Sequence, residues 1–385
     1  MSARIFLVAA EASGDALGAD LARVLKDRDS SIELAGVGGP LMAEEGIASQ
    51  ADTSGLAVLG FVDGLLAYSQ VKRAVAATVD AIVKAKADVA VLIDSWGFTL
   101  RVAQGVRAAA PHIKLVKYVG PQVWATRPGR AKTLAAAVDH LICIHDFEVP
   151  FYEPFGLPCT VCGHPALGRF KQGDGAAFRA RQGFTPTEKI VLVLPGSRNA
   201  EIRRIGPTLW QAAELLDRDR DIRIIAVAAT SVRKQVIEQA PAAVRIVEET
   251  EKEDAFAAAT VALAASGTVT TEVALQGVPL VIGYKFGWVT WAIARAFLFK
   301  GKYGTLMNVA ADAEVAPELV QTRFTAANVA SAAAPLLDDE SAREEQVRGQ
   351  DEALALMGRG GTPAAEIAAD AVLKVLAQPR EPTGT

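Results

Sequence analysis

The segment VAVLIDSWGF, residues 89–98, runs five apolar side chains into a carboxylate, a hydroxyl and a tryptophan. So short and uniform an apolar run suits a strand covered on both faces, as in a parallel sheet between helices. Comparable runs occur at 5–9, 32–37, 115–119 and 140–144, and stretches of helical period lie between them at 18–26, 70–85, 100–110 and 130–137. Strand and helix alternating in this order predict a doubly wound α/β domain. A second series follows the segment DGAAFRARQGF, with strands expected at 190–194, 222–226, 245–246, 261–264 and 280–282. The fold class is therefore α/β, with two doubly wound domains at 1–165 and 166–349 facing across a cleft. The halves share a plan without a close repeat. A final helix is expected at 363–376, with Thr362 as N-cap and Pro363 as its first residue, ahead of a disordered tail at 378–385.

Bulk properties agree with this reading and exclude others. A chain of 385 residues exceeds what one core usually serves. A net charge of −4 gives no whole-protein attraction to nucleic acid. Cys159 and Cys162 form a C-x-x-C, but no second pair or spaced histidine completes a zinc site, so they read as two small buried thiols. The first apolar run is broken at Glu11, too soon for a secretory signal, and no run approaches the roughly 18 residues of a membrane span. The protein is expected in the cytoplasm, with surface contact to a membrane left open.

Open parallel sheets bind ligands beyond the carboxyl ends of their strands. In the first half those positions hold Glu11, Ser13 and Asp15, then Asp94 and Ser95, then Gly120, Pro121 and Gln122. In the second they hold Gly196, Ser197 and Arg198, then Ser266, Gly267 and Thr268. SGTVTTE follows a strand and opens a helix, which offers free amides to an anion. Arg198 can fork onto a diphosphate, and Glu272, about a turn on, can take ribose hydroxyls. S-G-T is also a common helix start, and PGSR alone is a turn. Neither a P-loop nor a G-x-G-x-x-G occurs. Asp94 is the best candidate base of the first half, with the cap of the following helix as its alternative; Glu11 and Asp15 share that ambiguity. Among the histidines, His112 reads as loop surface, His140 and His145 flank a buried strand, and His164 lies near the domain junction. None pairs with a serine or cysteine as a nucleophile would. Two apolar, aromatic stretches remain. Residues 56–74 offer Phe61, Val62, Leu65, Leu66 and Tyr68 beside Lys72 and Arg73, which suits a membrane interface or acyl chains. Residues 284–304 carry Trp288, Trp291, Phe297 and Phe299 among basic residues, and core packing explains these equally well.

The motifs, taken together, resemble the lipid-A-disaccharide synthase family. AEASGD at 10–15, GVGGPLMAEEG at 36–46, LAVLGFVD at 56–63, VLID at 91–94, YVGPQVWA at 118–125, LPGSRNAEI at 194–202, SGTVTTE at 266–272 and PELVQ at 317–321 occur in family order from about residue 4 to 376. The resemblance implies a metal-independent, inverting glycosyltransferase of the B-type fold, with two Rossmann-like domains and a C-terminal segment, about 350–377, packing back on the first. It implies transfer of 2,3-diacylglucosamine from UDP to 2,3-diacylglucosamine 1-phosphate, giving a β-1,6 disaccharide and UDP without a cofactor. It also implies peripheral attachment to the cytoplasmic face of the inner membrane through the 56–68 region, and a homodimer formed by exchange of C-terminal parts. On this resemblance Asp94 takes the proton of the acceptor 6-hydroxyl. Gly196, Ser197, Arg198, Glu201, Ser266, Gly267, Thr268, Glu272 and Asn308 fall on the nucleotide side, and Glu11, Ser13, Asp15 and Gln122 on the acceptor side. The family continues I-D-x-P-[DE]-F where this chain has Trp96-Gly97-Phe98, so a proline and an acid are missing. Ala10 replaces a glycine, and Gln122 to Thr126 depart from S-V-W-A-W. The departures gather on the acceptor side. A UDP-N-acetylglucosamine 2-epimerase-like isomerase and a non-catalytic UDP-sugar-binding homologue are the competing readings.

Overall fold

A computed structural model of the chain describes residues 2–53, 64–124, 127–287 and 302–379. Two compact units emerge, Met1–Pro165 with Gly361–Thr385, and Ala166–Gly360. The first carries a parallel sheet of six strands, β1 (Arg4–Val8), β2 (Glu33–Val37), β3 (Val89–Ile93), β4 (Lys114–Tyr118), β5 (His140–Cys143) and β6 (Cys159–Val161), in the order β2-β1-β3-β4-β5-β6. The second carries β7 (Lys189–Leu194), β8 (Ile222–Val227), β9 (Arg245–Val247), β10 (Val261–Ala265), β11 (Leu280–Tyr284) and β12 (Glu318–Val320), ordered β12-β11-β10-β7-β8-β9. These are two Rossmann-like sheets.

The pleat explains why β3 is apolar throughout. Val89, Val91 and Ile93 pack on one face with Leu17, Leu21 and Leu25 of the helix Ala12–Arg28. Ala90 and Leu92 pack on the other with Val102 and Val106 of the helix Trp96–Ala109. Side chains of a strand alternate between faces, so a sheet buried twice needs apolar residues at every position. β7 repeats the device: Ile190, Leu192 and Leu194 join one core, Val191 and Val193 the other. The edge strands β6 and β12 have only three residues each, too few to stand out as apolar runs.

The C-terminal part divides between the units. The helix Glu340–Leu356 belongs to the second, where Gln346 and Gln350 donate to the carbonyls of Leu280 and Val278 at 2.8 and 3.0 Å. The helix Ala364–Ala377 lies on the first sheet through Ala368, Val372 and Val375. Lys114 donates to the carbonyls of Val375 and Leu376 at 2.8 and 3.0 Å, meeting the negative end of that helix. The N-cap is Pro363 rather than Thr362, because Pro363 keeps an extended ψ of 138° and the helix starts one residue later. Residues 380–385 of the expected tail lie outside the described residues. No described helix is long and apolar enough to cross a membrane.

Candidate active site

Each sheet has one place where neighbouring strands send their connections to opposite sides. In the first it falls between β1 and β3, and in the second between β7 and β10. Loops diverge there and leave a crevice, so ligands of doubly wound sheets are expected at that point. Glu11, Ser13 and Asp94 stand at the first such point, and Ser197 and Ser266 at the second.

Asp94 follows β3 in a left-handed conformation, φ 49°, and Ser95 follows it with φ 41°. Two consecutive non-glycine residues of this kind are uncommon and cost on the order of 1–3 kcal/mol each. The turn ends the strand abruptly and leaves Ser95 as N-cap of the helix Trp96–Ala109, with no side chain capping it. The Asp94 carboxylate therefore does not cap that helix. Its Oδ2 accepts the Ser13 hydroxyl at 3.0 Å, while Ser95 donates to Glu11 Oε1 at 2.8 Å. Asp94 and Ser95 are half-buried, and Glu11 and Ser13 are exposed. The result is a small polar cluster open to solvent at the switch point.

What holds the turn is a residue that motif reading passed over. Lys117, on β4, is 2% exposed and donates to the Asp94 carbonyl and to Thr99 Oγ1, the latter at 2.8 Å. The Thr99 hydroxyl also lies 2.8 Å from the Asp94 carbonyl and 3.1 Å from that of Ser95. Burial pulls the Lys117 amine down to about 7, against the opposing pull of Asp94. A lysine inside the apolar strand KLVKY was the available signal.

The other acceptor-side residues divide. Glu11 lines a cavity of about 620 Å³ with Gly38, Gly39, Ser49 and Asp52. Asp15 touches that cavity but is 4% exposed, and its carboxylate accepts the amides of Gly39, Leu41 and Met42 at 2.7, 2.9 and 3.1 Å. It caps the short helix Pro40–Glu44. A Cβ on Gly39 would sit 2.6 Å from that carboxylate, which explains the glycine. Gln122 is exposed. Trp96, in place of the family's proline, packs partly against the core and carries the Arg130 guanidinium 5.5 Å from its ring centre. Phe61 and Val62 lie outside the described residues, and of Leu65, Leu66 and Tyr68 only the backbone, within the helix Gly64–Lys84, is described.

In the second unit a cavity of about 280 Å³ is lined by Gly196, Ser197, Glu201, Ser266, Gly267, Thr268 and Glu272, together with Glu249, Lys252 and Phe256. Its floor includes the start of the helix Thr268–Leu275, whose first amides have no partner within the helix. Glu201 organises the rim: Oε2 accepts the Ser197 amide and Oε1 the Arg198 guanidinium, both at 3.1 Å. Gly196 adopts φ 120°, and a Cβ there would meet Glu201 Cβ at 2.8 Å, so only glycine fits the turn. Arg198 is 80% exposed at the cavity's edge. Glu272 is paired with Lys252 at 3.0 Å, so a cation already sits beside the carboxylate assigned to a ribose. Asn308 is fully buried and takes no part in the lining. Its amide donates to the Ala316 carbonyl at 2.9 Å and accepts the Ala316 amide at 3.0 Å, which pins a loop.

The cysteines, the histidines and Glu148 lie apart from both clusters. Cys143, Cys159 and Cys162 are free thiols. His140 meets Thr160 Oγ1 at 2.9 Å, and His112 is exposed. His145 stacks on Phe147 with ring centres 4.8 Å apart, and burial and then His164 pull it down to about 3. Burial pushes the Glu148 carboxyl up to about 7, although the amides of His145 and Ile144 pull the other way.

The family model described as lipid-A-disaccharide synthetase matches residues 5–372. A lipid-A-disaccharide synthase of Rhodospirillum centenum is 39% identical over 379 residues, covering 97% of this chain and 94% of that one. Among solved structures, the UDP-GlcNAc 2-epimerase from Neisseria meningitidis aligns with a TM-score of 0.62 at 12% identity, over 97% of this chain and all of the other. CalG4, the calicheamicin glycosyltransferase, aligns at 0.59 and 16% identity, over 98% and 99%. Epimerase and glycosyltransferase align about equally well, so these likenesses speak to the shared fold alone. The sequence match, continuous over nearly the whole length, decides between them: the chain belongs to the lipid-A-disaccharide synthase family of glycosyltransferases.

Proposed function

We propose that this chain transfers 2,3-diacylglucosamine from UDP to the 6-hydroxyl of 2,3-diacylglucosamine 1-phosphate, with inversion, and that Asp94 is the general base. The observation that carries the reading is the Asp94 carboxylate, which stands at the switch point, caps no helix, and is held by the Ser13 hydroxyl at 3.0 Å. Inversion requires a base that takes the acceptor proton as the oxygen attacks the anomeric carbon from the side opposite UDP. The bond from that carbon to the diphosphate breaks, and the departing charge is received by the second unit. Ser266–Thr268 at the helix start and Arg198 supply amides and a guanidinium for it. Neisseria meningitidis UDP-GlcNAc 2-epimerase, whose fold aligns with this chain, has been solved with UDP-GlcNAc bound, and a UDP-sugar donor accords with that. Attachment to the cytoplasmic face of the inner membrane through residues 56–68 would bring the acylated substrates to the protein.

The test is Asp94→Asn, assayed in detergent with UDP-diacylglucosamine and the monosaccharide 1-phosphate by mass spectrometry of the disaccharide. General-base catalysis contributes about 10²–10⁴-fold, so a loss of at least about 100-fold with an unchanged melting temperature is expected. Retention of transfer within tenfold would remove Asp94 as the base. Conversion of the UDP-sugar without acceptor would point to an epimerase.

A further inference from the structure

Near Asp94, three arginines gather on the segments that follow β3 and β4. Arg130 begins the helix Arg130–Ala135, downstream of β4, and lies over the Trp96 ring, 5.5 Å from its centre. β4 and β3 are paired in register, Tyr118 beside Ile93, so both chain segments leave the sheet at the same end. Arg127 precedes Arg130 by one turn and adopts φ 50°, a conformation that costs a non-glycine residue energy and fixes where its side chain starts. Arg101 donates to the Gly97 carbonyl at 2.6 Å, at the position where the family pattern has an acid. Among the described residues none of these three arginines has a carboxylate partner. Burial, and then the nearby Arg127, hold the Arg130 guanidinium below its ordinary value. Guanidiniums placed in this way, one of them fixed on an aromatic face, are suited to a phosphate, which accepts their N–H groups in pairs.

We propose that Arg130, seated on Trp96, and Arg127 form the subsite for the phosphate of the acceptor. The subsite rests on the reading of Asp94 as the base, since it places the anionic end of the acceptor beside the residue that activates its hydroxyl. Trp96 then has a role that the family's proline does not fill, as the platform that aims Arg130.

The experiment measures equilibrium binding of diacylglucosamine 1-phosphate and of dephosphorylated diacylglucosamine, in detergent, to wild type, Arg130→Gln and Arg127→Gln, beside the transfer assay. Wild type should prefer the phosphorylated ligand by about ten- to hundredfold, and each variant should lose most of that preference while binding UDP as before. Thermal melting identifies a variant that fails to fold, and Trp96→Leu, which removes only the platform, then substitutes for it with the same expected loss. Equal preference in wild type and variants, or equal weakening toward both sugars, overturns the subsite. If wild type transfers nothing yet its phosphate preference depends on Arg130, the subsite stands and the assigned reaction falls. If transfer proceeds without any preference for the phosphate, the reaction stands and the subsite falls.

Discussion

Lys117→Met separates what this residue does for the fold from what it does for Asp94. Methionine keeps the length of the side chain and removes the charge. Burial brings the wild-type amine from an ordinary 10.5 to about 7, a displacement worth roughly 5 kcal/mol against a charged group at this site. Below pH 7 both folded and unfolded chains hold the proton, and the folded state bears the whole cost. Between pH 7 and 10.5 the unfolded chain holds a proton that the folded chain has released, so stability climbs with pH; above that window the cost is gone. Against it stand two hydrogen bonds, worth roughly 1–3 kcal/mol together, and the Thr99 hydroxyl remains 2.8 Å from the Asp94 carbonyl. The variant should therefore melt at or above the wild-type temperature at pH 7, with its advantage shrinking as the pH is raised toward 10. Its activity should move the other way. Without the ammonium, no charged group among the described residues holds the Asp94 carbonyl, and a shift of about 1 Å in a reacting group can cost roughly 100-fold. Initial rates of disaccharide formation should show kcat down by at least about tenfold, with the KM for UDP-diacylglucosamine unchanged. A variant that loses several kcal/mol of stability at pH 7, or keeps kcat within twofold, would refute the reasoning.

Two further substitutions test the electrostatics of Glu201 and Glu148. Glu201→Gln weakens the ion pair with Arg198 and the hold on the Ser197 amide, so UDP affinity should fall about tenfold by calorimetry; unchanged affinity would mean that Glu201 does not shape the donor cavity. Glu148 has a folded value of about 7 against an ordinary 4.5, so stability is lost as pH rises through that interval and stays lost above it. Glu148→Gln should melt higher than wild type at pH 8, by up to about 3 kcal/mol, and match it near pH 4.5. A difference that does not vary with pH would contradict this.

The fold was legible because its central strands are buried twice. Five apolar residues in a row leave little room for any other element, and β3 lies where VAVLI stands. The edges were not legible for the converse reason. β6 and β12, three residues each, are strands only because β5 and β11 hold out free backbone groups beside them, which no local pattern records. The C-terminal helices show a similar limit. Residues 340–356 and 364–377 are both helical, but they serve different units. Gly358 and Gly360, both with positive φ, mark the break between them. A buried glutamine pair fixes one helix and Lys114 the other, contacts made across more than 60 residues of sequence.

The candidate positions could be read from the sequence, and their roles could not. The acidic candidates of the first unit all follow a strand, and an acid after a strand is ordinarily a cap. Asp15 and Asp94 look alike in sequence, and geometry parts them. Asp15 is buried and accepts three backbone amides, so each oxygen is committed to a short helix it does not belong to. Asp94 is half-buried, lies ahead of a helix that it leaves uncapped, and among the described residues accepts only a hydroxyl. A carboxylate with lone pairs still open, at a switch point, on a turn that is costly to form, is free to take a proton. A carboxylate saturated with amides is not. The turn is the deciding feature: Asp94 and Ser95 are both left-handed, and Lys117 and Thr99 clamp the Asp94 carbonyl in that conformation. The chemistry assigned to Asp94 therefore depends on a backbone oxygen as much as on the carboxylate, which is why a motif that names only the aspartate does not contain the whole of its function.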